Sequence, residues 1–128
     1  MANEKILIVD DEPYIARQLS FVLEKEGFDV SVAVDGEEAL AKIKESTPKL
    51  LFLDVMMPKK NGYEVCEELK RDPSFNEIYI IMLTAKGQES DREKGLALGA
   101  DEFITKPFSL MQIVGRVKEI LASYPSLD

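Results

Sequence analysis

The feature that constrains this chain most is the alternation, from one end to the other, of five short apolar runs with amphipathic stretches. KILIV (5–9), DVSVAV (29–34), LLFLD (50–54), IYIIML (78–83) and DEFIT (101–105) have the length and β-branched content of strands. The intervals between them read as helices. Ile15, Leu19, Val22 and Leu23 share one face of the first, and Gly27 is placed to end it. Asp35 with Glu38 and Asn61 with Glu64 have the spacing of capping boxes for the second and third helices, and Ser90 with Glu93 repeats it for the fourth. The fifth has Ser109 and Gln112 as its box, Phe108 and Ile113 as a hydrophobic staple, and Ile113, Val114, Val117, Ile120 and Leu121 as its buried stripe.

Strand followed by helix, five times over, calls for a parallel sheet covered on both faces through right-handed crossovers. Five units are too few for an eight-stranded barrel, so the fold class is α/β, a (βα)5 doubly wound open sheet. ILIV, LLFL and IIML are nearly continuous apolar runs and belong in the middle, buried on both sides. DVSVAV alternates and belongs at an edge, which supports the order 2-1-3-4-5.

Composition narrows the function. At 128 residues and 45% hydrophobic content the chain suits one packed domain, taken as residues 1–122, with 123–128 (SYPSLD) a tail or the start of a linker. A net charge of −8, from 24 acidic and 16 basic residues, argues against direct nucleic-acid binding or an anionic membrane surface. No apolar run approaches the length of a membrane span, the start MANEKILIVDDE is unlike a signal segment, and a cytoplasmic location is expected. The single cysteine, Cys66, reads as a small core residue.

In an open α/β sheet the site lies beyond the carboxyl ends of the strands, where the strand order reverses. The first run ends in Asp10 and Asp11, the third in Asp54, the fourth in Thr84, and the fifth leads to Lys106 and Pro107. Singly, each has an ordinary structural use: Asp11 as a cap before Pro13, Thr84 as a strand end, Lys106 as a solvated charge. Together they put three acids and one lysine on one edge. Two uncompensated negative charges in a small space either raise a carboxylate pKa or recruit a cation. An all-oxygen donor set favours Mg²⁺, with Mn²⁺ as an alternative. A carboxylate beside such a cation, a lysine and a hydroxyl is equipped for phosphoryl transfer.

ILIVDDEP, LDVMMPKKNG, MLTA and ITKPF, in that order and spacing, resemble the receiver domain of two-component response regulators, over about Lys5 to Leu121. The resemblance implies a flavodoxin-like three-layer sandwich and assigns roles by position. Asp54 matches the phosphoacceptor, supplied by a histidine kinase, a phosphotransfer protein or a small phosphodonor. Asp11, Asp54 and the carbonyl of Met56 match the direct Mg²⁺ ligands, and Asp10 one that acts through water. Lys106 matches the lysine that pairs first with the acceptor and then with the phosphoryl group. Thr84 matches the switch hydroxyl, Ala85 its small neighbour with a helping amide, and Phe103 the switch aromatic. Lys106–Pro107 stands where the family has a cis peptide.

The implied function is a phosphorylation switch rather than a turnover enzyme, read out on the face made by the fourth helix, fifth strand and fifth helix. Phe103, unlike the tyrosine of many members, offers no hydroxyl there. Met56 and Lys86 flank the path of attacking water. Arg92, Asp101, Glu102 and Arg116 resemble part of the charged set through which receivers of winged-helix transcription regulators form homodimers, although Gln112 and Ser123 depart from it. A phosphorylation-independent docking receiver is an alternative output. A haloacid-dehalogenase-type phosphatase would need an aspartate where Met56 stands, and DDEPY would repel the phosphate of a flavin. The output partner or domain is unassigned by these 128 residues.

Overall fold

The computed structural model describes residues 4–57, 60–85 and 89–123, with the side chains of 85, 89–92 and 123 outside the description. Strands and helices alternate: β1 (Lys5–Val9), α1 (Pro13–Lys25), β2 (Asp29–Ala33), α2 (Gly36–Glu45), β3 (Leu50–Asp54), α3 (Gly62–Arg71), β4 (Tyr79–Ala85), α4 (Glu89–Ala97), β5 (Glu102–Lys106) and α5 (Leu110–Ser123). The strands form one sheet in the order β2-β1-β3-β4-β5, every pairing parallel.

Alternation along the strands sorts the core into two layers. Ile6, Ile8, Leu50, Phe52, Ile81 and Leu83 face α1 and α5, where they meet Leu19, Leu23, Ile113 and Val117. Leu7, Val9, Leu51, Leu53, Ile80 and Met82 face the other way, against Ile43 of α2 and Val65, Cys66 and Leu69 of α3. Every residue of β3 is buried, as its unbroken apolar run requires, whereas β2 at the edge is half exposed. Cys66 is a core residue as expected; burial pushes its thiol up to about 11, which suppresses the reactive thiolate.

Local chemistry sets the helix ends. Gly27 takes a φ of 95°, open to glycine, while the amides of Gly27 and Phe28 donate to the carbonyls of Glu24 and Leu23 and close the last turn of α1. Asn61 and Glu64 make the full capping box of α3, at 3.0 and 3.1 Å. In α2 the Glu38 amide donates to Asp35, but Glu38 accepts from Val34, one residue before the cap. The Gln112 amide donates to Ser109 Oγ at the start of α5. α4 already includes Ser90, whose side chain lies outside the described residues.

Strand ends differ from the sequence expectation in a way that matters for the site. β4 runs on to Ala85 and β5 to Lys106, because Thr84 pairs with Thr105 and Ala85 with Lys106 in one continuous ladder. Thr84 and Lys106 therefore sit on strands, held by neighbours, rather than on loops. Gly62 brings α3 equally close: a Cβ there would stand 2.3 Å from the carbonyl oxygen of Asp54, and its amide donates to Val55 at 3.0 Å. Only a residue without a side chain fits between the helix and the end of β3.

Candidate functional site at the sheet edge

β1 and β3 are in register, Val9 opposite Leu53, so the next residues, Asp10 and Asp54, emerge together at the carboxyl edge. Asp10 is fully buried and Asp54 is 6% exposed. β5 delivers Lys106, whose Nζ lies 3.0 Å from Asp10 Oδ2, 3.1 Å from Glu12 Oε1 and 3.4 Å from Asp54 Oδ2. Backbone amides fix the other oxygens: Glu12 N donates to Asp10 Oδ1 at 2.9 Å and Met56 N to Asp54 Oδ1 at 3.2 Å.

Burial first, and the charge of Asp10 second, push the Asp54 carboxyl up to about 7, against the pull of Lys106 and the Met56 amide. Burial depresses the Lys106 ammonium, yet its hydrogen bond to Asp10 and the charges of Asp54 and Asp10 outweigh that and leave it raised. The site thus holds more negative charge than its lysine neutralises. Asp10, Glu12 and Asp54 can present oxygens within 4.8 Å of one another, a donor set fit for a hard divalent cation such as Mg²⁺. Thr84, 6% exposed, has a buried Oγ1 with no hydrogen-bond partner among the described residues, a donor held without an acceptor.

Of the residues singled out in the sequence, Asp10, Asp54 and Lys106 meet directly. Met56 contributes its backbone while its side chain is 70% exposed. Ala85 pairs with Lys106 in the ladder, its side chain outside the described residues, as is the whole of Lys86. Asp11 is exposed and is not among the three grouped carboxylates; Glu12, which the sequence reading did not single out, is. The backbone at Glu12 is still extended (φ −89°, ψ 103°), so residues two apart share a side and Glu12 follows Asp10.

Phe103 lies on the α3 side of the sheet, half-buried against that core. Its ring reaches α4 at Gly95, where a Cβ would stand 2.2 Å from Phe103 Cζ. The charged residues nearby have partners within the chain. Arg116 chelates Glu102 through Nε and a terminal nitrogen at 2.9 and 2.6 Å, and Tyr79 Oη donates to the same carboxylate at 2.8 Å. The Arg116 bond, above all, holds Glu102 below the usual carboxylate range. Asp101 pairs with Lys70 at 3.1 Å, and the side chain of Arg92 lies outside the described residues.

Comparison with known proteins agrees with this geometry. The family described as response regulator receiver domain matches residues 6–118. The alkaline phosphatase synthesis transcriptional regulatory protein PhoP of Bacillus subtilis is 50% identical over 119 residues, covering 93% of this chain and 49% of the relative. The probable transcriptional regulator ycf27 of Porphyridium aerugineum is 49% identical over 121 residues, covering 94% of this chain and 49% of its own. The chain spans about half the length of these curated relatives. The crystal structure of a putative response regulator from Chloroflexus aurantiacus superposes with a TM-score of 0.89 at 39% identity, covering 94% of this chain and 99% of that one.

Proposed function

The chain belongs to the response regulator receiver domain family of two-component systems, and on that premise we propose that Asp54 accepts a phosphoryl group from a histidine kinase or phosphotransfer protein in the cytoplasm. The observation that carries the reading is the placement of Lys106 against both Asp10 and Asp54, at 3.0 and 3.4 Å. Ionised Asp54 attacks phosphorus, a carboxylate oxygen–phosphorus bond forms, and the bond from phosphorus to the donor's nitrogen or oxygen breaks. Lys106 turns a donor to a phosphoryl oxygen, and Thr84 Oγ1, without an acceptor among the described residues, supplies another. The amide of Ala85 adds a third. Asp10, Asp11, Glu12, Asp54 and the carbonyl of Met56 are the oxygens that would hold Mg²⁺, or Mn²⁺ in its place, which when bound offsets charge on the phosphoryl oxygens. The domain thereby assists its own phosphorylation and dephosphorylation and has no separate substrate to turn over.

When Thr84 moves toward the phosphoryl group, Phe103 fills the space it leaves, and the face of α4, β5 and α5 changes its preferred partner. One phosphoryl group can reverse the population only if the two states lie within a few kcal/mol. A titration of isotope-labelled protein with beryllofluoride, a phosphoryl mimic, and Mg²⁺ should move the amide resonances of Met56, Thr84, Ala85 and Phe103. Asp54→Asn should abolish those shifts, and shifts that persist in the variant contradict the assignment.

The similarity to two transcriptional regulators of twice its length favours a second, finer reading, the receiver half of a winged-helix transcription regulator. In that reading the beryllofluoride form sediments as a dimer. An unchanged monomer removes it and leaves docking to another protein as the output.

A further inference from the structure

Helix α4 meets the sheet through a glycine. Among its residues whose burial is described, Glu93, Lys94, Leu96 and Ala97 are exposed and Gly95 is buried, so none of them brings an apolar side chain to that contact. The gap is filled from the sheet. Phe103 and Met82, opposite each other in the ladder of β4 and β5, both reach the point where a Cβ at position 95 would stand, Phe103 Cζ at 2.2 Å and Met82 Sδ at 2.9 Å. Two of the three partners are held in place. The Gly95 carbonyl accepts from the amides of Leu98 and Ala100 at 3.1 and 3.0 Å, which close the end of the helix, and Met82 is 0% exposed. Phe103 is half-buried, and its nearest atom is the far end of a ring that can turn about χ1, so the ring is the part that can leave. It stands there together with Thr84 in its ladder position, 6% exposed and with no acceptor for Oγ1 among the described residues. That is the arrangement from which both residues would move.

We propose that Gly95 is the seat of Phe103, a gap in α4 that holds the ring beside Met82 and thereby opposes the move into the space left by Thr84. Gly95 touches none of the reacting atoms; it is a positioning residue that acts through Phe103 and sets how readily the switch is thrown. The same contact ties the helix to the switch, because a ring that leaves the seat takes with it the side chain that fills the gap beneath α4. The inference rests on the assignment of Asp54 as acceptor and of Phe103 as switch, and deepens it.

The test is a double-mutant cycle on the full chain, with beryllofluoride affinity at saturating Mg²⁺ measured in wild type, Gly95→Ala, Phe103→Ala and the double variant. A methyl group at position 95 displaces the ring and penalises the state that holds it. Gly95→Ala should therefore bind beryllofluoride more tightly by about three- to tenfold, the size expected of a side chain forced off its rotamer in the disfavoured state. With Phe103 already cut back to Ala, the same methyl group should leave the affinity unchanged. An unchanged or weaker affinity in Gly95→Ala overturns the proposal. So does equal tightening in both backgrounds, which would assign the effect to a better helix former in α4. The amide resonance of Gly95 gives a reading that survives even if Gly95→Ala fails to fold: beryllofluoride should move it in wild type and not in Phe103→Ala, and equal movement in the two overturns the proposal. Failure of wild type itself to bind beryllofluoride, in a form that depends on Asp54, would instead remove the parent reading.

Discussion

Asp54 is held under electrostatic tension, buried beside Asp10 and relieved by Lys106. Its folded pKa of about 7 lies above the 3.8 expected of the unfolded chain, so between those values the native state binds the extra proton. Stability in EDTA should therefore fall as pH rises from about 4 to 7 and level off above that. Asp54→Asn should remove that slope and stabilise the cation-free protein at pH 8 by roughly 2 kcal/mol, read by urea denaturation. An equal slope in the variant would place the burden on another group. The sequence made Asp54 legible because a carboxylate that ends a wholly buried strand has few other uses. It did not make Glu12 legible, because which of DDE follows Asp10 into the site depends on how long the backbone stays extended before Pro13 turns it into α1.

Helices and strands were legible where their chemistry is local. The capping pair of Asn61 and Glu64, the glycine at the end of α1 and the stripe of α5 each act within a few residues, and each is present. The ends of β4 and β5 were not, because they are set by pairing between strands: the ladder carries both to Ala85 and Lys106, beyond the apolar runs. A further tie between elements was hidden in an ordinary surface residue. Lys70, near the end of α3, donates to the carbonyls of Asn76 and Ile78 at 3.1 and 2.8 Å and to Asp101 at 3.1 Å, while Asp101 also accepts from Ile80 N at 2.8 Å. One ammonium thus joins α3, the approach to β4 and the turn before β5. Lys70→Met keeps the stem that packs against Gly99 and removes the three bonds, so it should cost about 1–3 kcal/mol in urea denaturation. A cost below a few tenths would mean that water replaces the ammonium without loss.

For the whole molecule, the order 2-1-3-4-5 explains why residues as distant in sequence as Asp10, Asp54 and Lys106 meet: β1 and β3 end side by side, and β5 ends on the same edge with β4 between. The hydrophobic pattern put β2 at an edge and β1, β3 and β4 inside, which supports that order, so the location of the site was readable; the side-chain contacts within it were not. Nor does the fold settle the output, since Asp101, Glu102 and Arg116 all have partners inside the chain that a dimer would have to exchange. The excess negative charge links folding to the cation: Mg²⁺ in millimolar excess should raise the melting temperature by about 2–5 °C, and Asp11→Ala should lose most of that gain. A melt indifferent to Mg²⁺ would contradict the acidic site as a cation site. The central claim, that Asp54 is the nucleophile, is tested most directly by incubating the protein with a small phosphodonor and Mg²⁺ and mapping the label by mass spectrometry. The account predicts one hydroxylamine-labile phosphoryl group on Asp54, absent from Asp54→Asn; undiminished labelling of that variant at another residue would contradict it.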